Sequence, residues 1–182
     1  MNYIQTEIEG VFIIEPKVFK DSRGYFMEAW KQEEFNEHVG KTNFIQDNES
    51  KSAFGVLRGL HYQKGSLSQA KLVRVIKGRV LDVAVDIRKS SPTFGKHVKI
   101  ELSEDNKRQL FIPRGFAHGF LVLSEEAIFT YKVDNPYAPQ AEAGIRWDDP
   151  ALAIEWPIDF SQVLTSDKDL KHPLMKDAEL FD

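Results

Sequence analysis

The apolar residues of this chain recur at a period of two, and that rhythm constrains the fold more than any other feature of the sequence. Leu81, Val83, Val85 and Ile87 alternate with Val80, Asp82, Ala84 and Asp86, and Val98, Ile100 and Leu102 alternate with His97, Lys99 and Glu101. Such alternation is what a strand with one side toward a core requires. Turn formers break the pattern at Gly78-Arg79, Ser90-Ser91-Pro92, Glu104-Asp105-Asn106, Pro113-Arg114-Gly115 and Ser124-Glu125-Glu126. Short strands at this spacing predict a mainly β protein, a sandwich or a barrel. Helical signal is thin. Lys31 to Gly40 reads as a short helix with Phe35 and Val39 on one side, and Ser166 is placed to cap a second one leading into Asp169 and broken by Pro173. The stretch from Pro136 to Pro157 reads as a long ordered connection anchored by Trp147 and Trp156.

Composition narrows the function classes. At 182 residues the chain is enough for one domain with a real core. Its net charge of −4 gives none of the basic excess that gripping a phosphate backbone demands, so no nucleic acid is expected as partner. The longest apolar runs, such as Phe120-Leu121-Val122-Leu123, are far below spanning length, so no membrane is expected either. There is no cysteine, which removes disulfides, thiol catalysis and thiolate metal sites together. The N-terminus, Met1 to Gln5, has no basic lead followed by an apolar stretch, and a cytoplasmic protein is expected.

Three ionisable residues fall on strands where a barrel interior would lie: His61, Lys71 and Tyr131. If Val73 and Val75 point inward, the period sends Lys71 inward too, and Phe129 and Tyr131 share a side by the same rule. A strand histidine or tyrosine taken singly is often structural; an inward lysine is rarely left without a partner or a task. The block Pro113-Arg114-Gly115-Phe116-Ala117-His118 resembles the second half of the cupin signature, Pro-x-Gly-x-x-His. The first half is incomplete, because His61 is followed by Tyr62-Gln63 and the glutamate position holds Leu67. That leaves His61 and His118, a poor set for zinc or iron, and no metal or cofactor is expected. Side chains would then do the chemistry. A histidine removes a proton next to a carbonyl, a lysine stabilises the enolate oxygen, and a tyrosine returns a proton from the other side, which inverts the carbon. A carboxylate should orient the histidine, with Asp167 and Asp169 as candidates.

At this point the sequence resembles the dTDP-4-dehydrorhamnose 3,5-epimerases over nearly its whole length. The likeness is carried by Asp21-Ser22-Arg23-Gly24-Tyr25-Phe26-Met27-Glu28, Gln46-Asp47-Asn48-Glu49-Ser50, Val56 to Gln63, Gln69 to Val75, Ile112 to Phe120 and Gly144 to Pro150. It implies a cupin-type double-stranded β-helix, or jelly-roll barrel, with short peripheral helices. It implies one domain over residues 1–182, the segment from about 160 to 182 packing on the barrel. By resemblance His61 is the general base and Asp169 its carboxylate, since the family's Ser-x-Lys-Asp pattern falls on Ser166 to Asp169. Lys71 would hold the 4-keto oxygen and Tyr131 would be the acid. His118 would line the sugar pocket. Arg23, Glu28, Gln46, Asp47, Asn48, Arg58, Glu142 and Lys168 match ligand-binding positions, and Tyr137 matches the aromatic that stacks on the base. The substrate implied is dTDP-4-keto-6-deoxyglucose. The family also implies a homodimer with exchanged N-terminal strands, which leaves Arg23 and Glu28 to serve either their own site or the neighbour's. The rivals are a C3-only epimerase, a 3,4-ketoisomerase of a nucleotide 4-keto sugar, a non-catalytic sugar-nucleotide-binding cupin and a metal-dependent dioxygenase.

Overall fold

A computed structural model describes residues 1–182. Its frame is a pair of antiparallel sheets. The first runs in the order β1 (Asn2–Gln5), β2 (Phe12–Glu15), β10 (Gln109–Ile112), β7 (Lys71–Lys77), β12 (Glu126–Val133) and β5 (Gln46–Ala53). The second runs β13 (Glu142–Gly144), β6 (Leu57–Gln63), β11 (Phe116–Val122), β8 (Arg79–Asp86) and β9 (His97–Ser103). Apart from β1–β2 and β8–β9, strands adjacent in these sheets are distant in sequence, as the jelly roll demands, and the expected cupin-type barrel is what forms. A separate hairpin, β3 (Val18–Asp21) with β4 (Gly24–Met27), stands apart from both sheets.

Three apolar clusters hold this frame. Val73, Val75, Phe129, Val80, Ala84, Val98 and Phe120 meet between the sheets, forming the barrel interior. The outer side of the second sheet, with Leu57, Leu60, Val83, Val85 and Leu121, is covered by Ile145, Trp147, Leu152, Trp156 and Met175 from the later part of the chain. The outer side of the first is capped around Phe35. Each fully buried aliphatic or aromatic side chain contributes roughly 1.5–3 kcal/mol of transfer free energy.

These covers change the reading of the alternating strands. Neither side of β8 faces water: Val83 and Val85 pack outward under the later chain, while Asp82 and Asp86 are fully buried on the other side. The alternation expected to separate core from solvent instead separates two cores. Asp86 is satisfied by Arg88, Ser91 and Thr93, whose hydrogen bonds outweigh burial and hold its carboxyl at about 2.

The helix expected over Lys31 to Gly40 spans Gln32–His38 as α1, with Phe35 buried against Trp30, Phe44 and Phe111. The second expected helix is only a single 3-10 turn, Asp169–Lys171, because Pro173 stops it; its N-cap is Lys168 rather than the expected Ser166, although Ser166 Oγ accepts the Asp169 N–H at 3.1 Å. The connection from residue 136 to 157 is ordered, with Trp156 Nε1 donating to the Trp147 carbonyl at 3.1 Å. No helix is long and apolar enough to cross a membrane.

Candidate active site

His61 and Arg58 are three residues apart, so a regular strand would send them to opposite sides. Between them the register of β6 against β11 slips by one residue: His118 pairs with His61, but Phe120 pairs with Arg58. The extra residue in β6 is a β-bulge, and it turns both side chains to the same cavity. Gly59 makes it possible. Its φ is +134°, and a Cβ there would lie 2.5 Å from Gly119 Cα on β11.

The cavity, of about 170 Å³, opens between the sheets. Ser50, Arg58, His61, Lys71, His118 and Tyr131 line it together with Phe120 and Phe129, whose rings stack at 4.1 Å. Lys71 and Tyr131 enter from the first sheet, His61 and His118 from the second. Burial pushes the Lys71 ammonium down to about 8, against the opposing pull of Asp82 and Glu142. Burial also raises the Tyr131 phenol, with Arg58 acting weakly in the other direction, so that Tyr131 keeps its proton at neutral pH.

Asp169 reaches His61 from the 3-10 turn, with His61 Nε2 2.6 Å from Asp169 Oδ1. Desolvation disfavours the ionised carboxyl, but the adjoining rings of His172 and His61 outweigh it and hold Asp169 well below the usual carboxylate range. His61, Asp169 and His172 bring three possible metal-ligand atoms within 4.8 Å of one another. The pair of imidazoles considered from sequence was different. His118 is turned to Asp82, its Nε2 3.0 and 2.9 Å from the two carboxylate oxygens. Burial lowers the His118 pKa, opposed by Asp82, which leaves a neutral ring donating to the carboxylate. Alternation alone does not mark Asp82 as a buried partner. The signal available was that Val80 and Ala84 share its side of β8, an odd composition for a solvated face.

The mouth of the cavity carries Arg58, Glu142, Lys168 and Asp169. Glu142 is held by Lys168 at 2.5 Å and by the Tyr137 hydroxyl at 2.7 Å, while the Tyr137 ring remains 57% exposed. Gln46, Asp47 and Asn48 begin β5. Asp47 and Asn48 line a neighbouring cavity of about 350 Å³ that shares Tyr131, and Asp47 is paired with Lys132 at 2.8 Å. Arg23 and Glu28 are not gathered into this site within the chain. Arg23 sits at the hairpin tip on Asp21, exposed, and Glu28 lies just beyond the β4 strand.

The family model of dTDP-4-dehydrorhamnose 3,5-epimerase matches residues 5–177. The chain belongs to that family. The dTDP-4-dehydrorhamnose 3,5-epimerase of Shigella flexneri is 58% identical over 182 residues, covering 100% of this chain and 99% of the relative. The crystal structure of the enzyme from Elizabethkingia anophelis NUHP1 superposes with a TM-score of 0.94 at 50% identity, covering 97% of each chain. That of dTDP-6-deoxy-D-glucose-3,5-epimerase from Legionella pneumophila, in complex with dTDP-4-keto-L-rhamnose, gives 0.94 at 50% identity, covering 98% of this chain and 94% of that one. The epimerase is thus matched from end to end, through both the barrel and the segment that brings Asp169.

Proposed function

We propose that this epimerase inverts C3 and C5 of dTDP-4-dehydro-6-deoxy-D-glucose, giving dTDP-4-dehydro-L-rhamnose, with His61 as base and Tyr131 as acid. One observation carries the assignment of roles. His61, backed by Asp169 at 2.6 Å, enters the cavity from one sheet, while Lys71 and Tyr131 enter from the facing sheet. A sugar ring held between the sheets meets base and acid on opposite sides, which is the geometry inversion needs.

The 4-keto group acidifies the neighbouring C–H bonds. With Nε2 occupied by Asp169, Nδ1 is the nitrogen left for substrate, and it takes the proton from carbon. The C–H electron pair becomes the C=C bond of the enolate, and the negative charge moves to the C4 oxygen. Lys71 meets that oxygen as a cation, and Asp169 meets the imidazolium. Tyr131 then delivers a proton to the carbon from the other side. His61 then releases its proton to solvent and Tyr131 takes one back from solvent, which resets both groups before the cycle repeats at the second carbon.

Arg58 and Lys168 at the mouth meet the diphosphate, and Tyr137 offers its exposed ring to the base, a stack worth about 1–3 kcal/mol by analogy with nucleic-acid stacking. The hairpin supports a homodimer in which Arg23 and Glu28 act in the partner's site: Phe19, Tyr25 and Phe26 on it are 51%, 55% and 66% exposed. The cysteine-free composition fits a cytoplasmic setting.

The test is incubation with the 4-keto substrate in deuterium oxide, with a reductase to trap the product. Label at both C3 and C5 with both centres inverted is the expected result. Label at C3 alone would make the enzyme a mono-epimerase and overturn the proposal.

A further inference from the structure

We propose that His172 is a positioning residue for the His61–Asp169 pair, fixing the orientation of the carboxylate that supports His61. The inference rests on the reading of that pair given above. His172 follows the 3-10 turn that carries Asp169, and its Nε2 lies 3.6 Å from Asp169 Oδ1, the same oxygen that faces His61 Nε2. That nitrogen is buried and has no hydrogen-bond partner. Buried ring nitrogens are ordinarily paired, and Asp169 Oδ1 is the acceptor it faces.

The ring is held there by packing. A Cβ on Gly144 would come within 2.4 to 2.6 Å of three of its atoms, so the imidazole occupies space that only a glycine leaves open. Gly144 is the cross-strand partner of His61, and the two imidazoles meet edge to face at 5.4 Å. His172 lines neither the cavity nor its mouth. It does not meet substrate and acts through Asp169. When His61 takes a proton from carbon, the new cation needs an ionised carboxylate that stays aimed at it. An Nε2–H aimed at Oδ1 from 3.6 Å favours the ionised form by its partial positive charge, and closing that gap to a hydrogen bond as charge develops on His61 resists rotation of the carboxylate.

Two variants separate the N–H from the ring. His172→Phe keeps the ring and removes the donor; His172→Gln keeps a donor and removes the ring. The expected result is a fall in kcat of about tenfold or more for His172→Phe with KM unchanged, and recovery of most of that loss in His172→Gln. Wild-type kcat in His172→Phe, or an equal loss in both variants, would overturn the proposal in favour of simple space filling. The wild-type protein supplies an independent reading by ¹H–¹⁵N NMR of the imidazoles. A proton on Nε2 of His172 is expected, and a ring protonated only on Nδ1 would overturn the proposal even if neither variant folds. His61→Asn in the same assay separates the two levels. Activity there means that the pair itself was misread; inactivity there with a normal His172→Phe means that only the role of His172 was.

Discussion

Asp82 sets both carboxylate oxygens on one nitrogen of His118, at 3.0 and 2.9 Å, between the two sheets. Both residues are buried, so the pair has no water to fall back on. Asp82→Leu leaves the imidazole N–H without its acceptor and should cost on the order of 1–3 kcal/mol. Asp82→Asn keeps an acceptor oxygen and should cost less. Urea unfolding midpoints at constant slope measure the difference.

The proposed mechanism sets Lys71 as the cation for the enolate oxygen. Lys71→Ala should lower kcat by roughly 10²–10³-fold, as loss of an oxyanion donor does elsewhere. Near-normal turnover in a steady-state assay would remove Lys71 from the mechanism.

The same lysine should mark the pH profile. Its folded pKa is about 8, down from 10.5, so the cation is lost on the alkaline side and kcat/KM should fall as pH rises through about 8. The stability effect has the opposite sense. Between about 8 and 10.5 the unfolded chain binds the proton that the folded one has released, so this group's contribution to stability rises with pH across that window. Activity and thermal midpoint measured across the window should diverge.

Tyr131→Phe tests the division of labour between the sheets. With His61 intact the variant should still exchange hydrogen for deuterium next to the carbonyl but no longer invert the carbon efficiently. Proton NMR of the sugar in deuterium oxide reads both events. Full inversion at the normal rate would assign the acid role elsewhere.

Gly59→Ala should damage the site through the backbone. The added methyl would lie 2.5 Å from Gly119 Cα, at a φ of +134° that other residues rarely adopt. Loss of the bulge would return Arg58 and His61 to opposite sides of β6. Both a lower urea midpoint and a collapse of kcat/KM are expected.

Much of this was readable from the sequence, for identifiable reasons. Lys71 follows from Val73 and Val75 by simple alternation, and the structure puts it in the cavity as the period requires. Tyr131 follows from Phe129 in the same way. The meeting of Asp169 with His61 has no local signal, since the two are 108 residues apart, and only the Ser166 to Asp169 motif chose Asp169 over Asp167. Arg58 joins His61 through a slip in register that no periodicity encodes. Asp82 is obscured because a carboxylate among alternating apolar residues looks solvated; Val80 and Ala84 beside it are the one local sign to the contrary, and the later chain covering the other side of β8 completes the reversal. The hairpin bearing Arg23 shows why a motif can match while its residue stands away from the site.

The 3-10 turn that presents Asp169 has a consequence for how function fails. His61 belongs to a strand paired on both sides, whereas its carboxylate arrives on one short turn, held by the Asp169 N–H to Ser166 Oγ hydrogen bond and its neighbouring contacts. Segments of that kind open by themselves at a free energy well below that of global unfolding. Each such excursion would silence the proposed base, His61, while the barrel stays folded. The operating temperature limit of the enzyme should therefore follow the latch rather than the vessel, with amide exchange near Asp169 tracking inactivation more closely than exchange in β8 or β11.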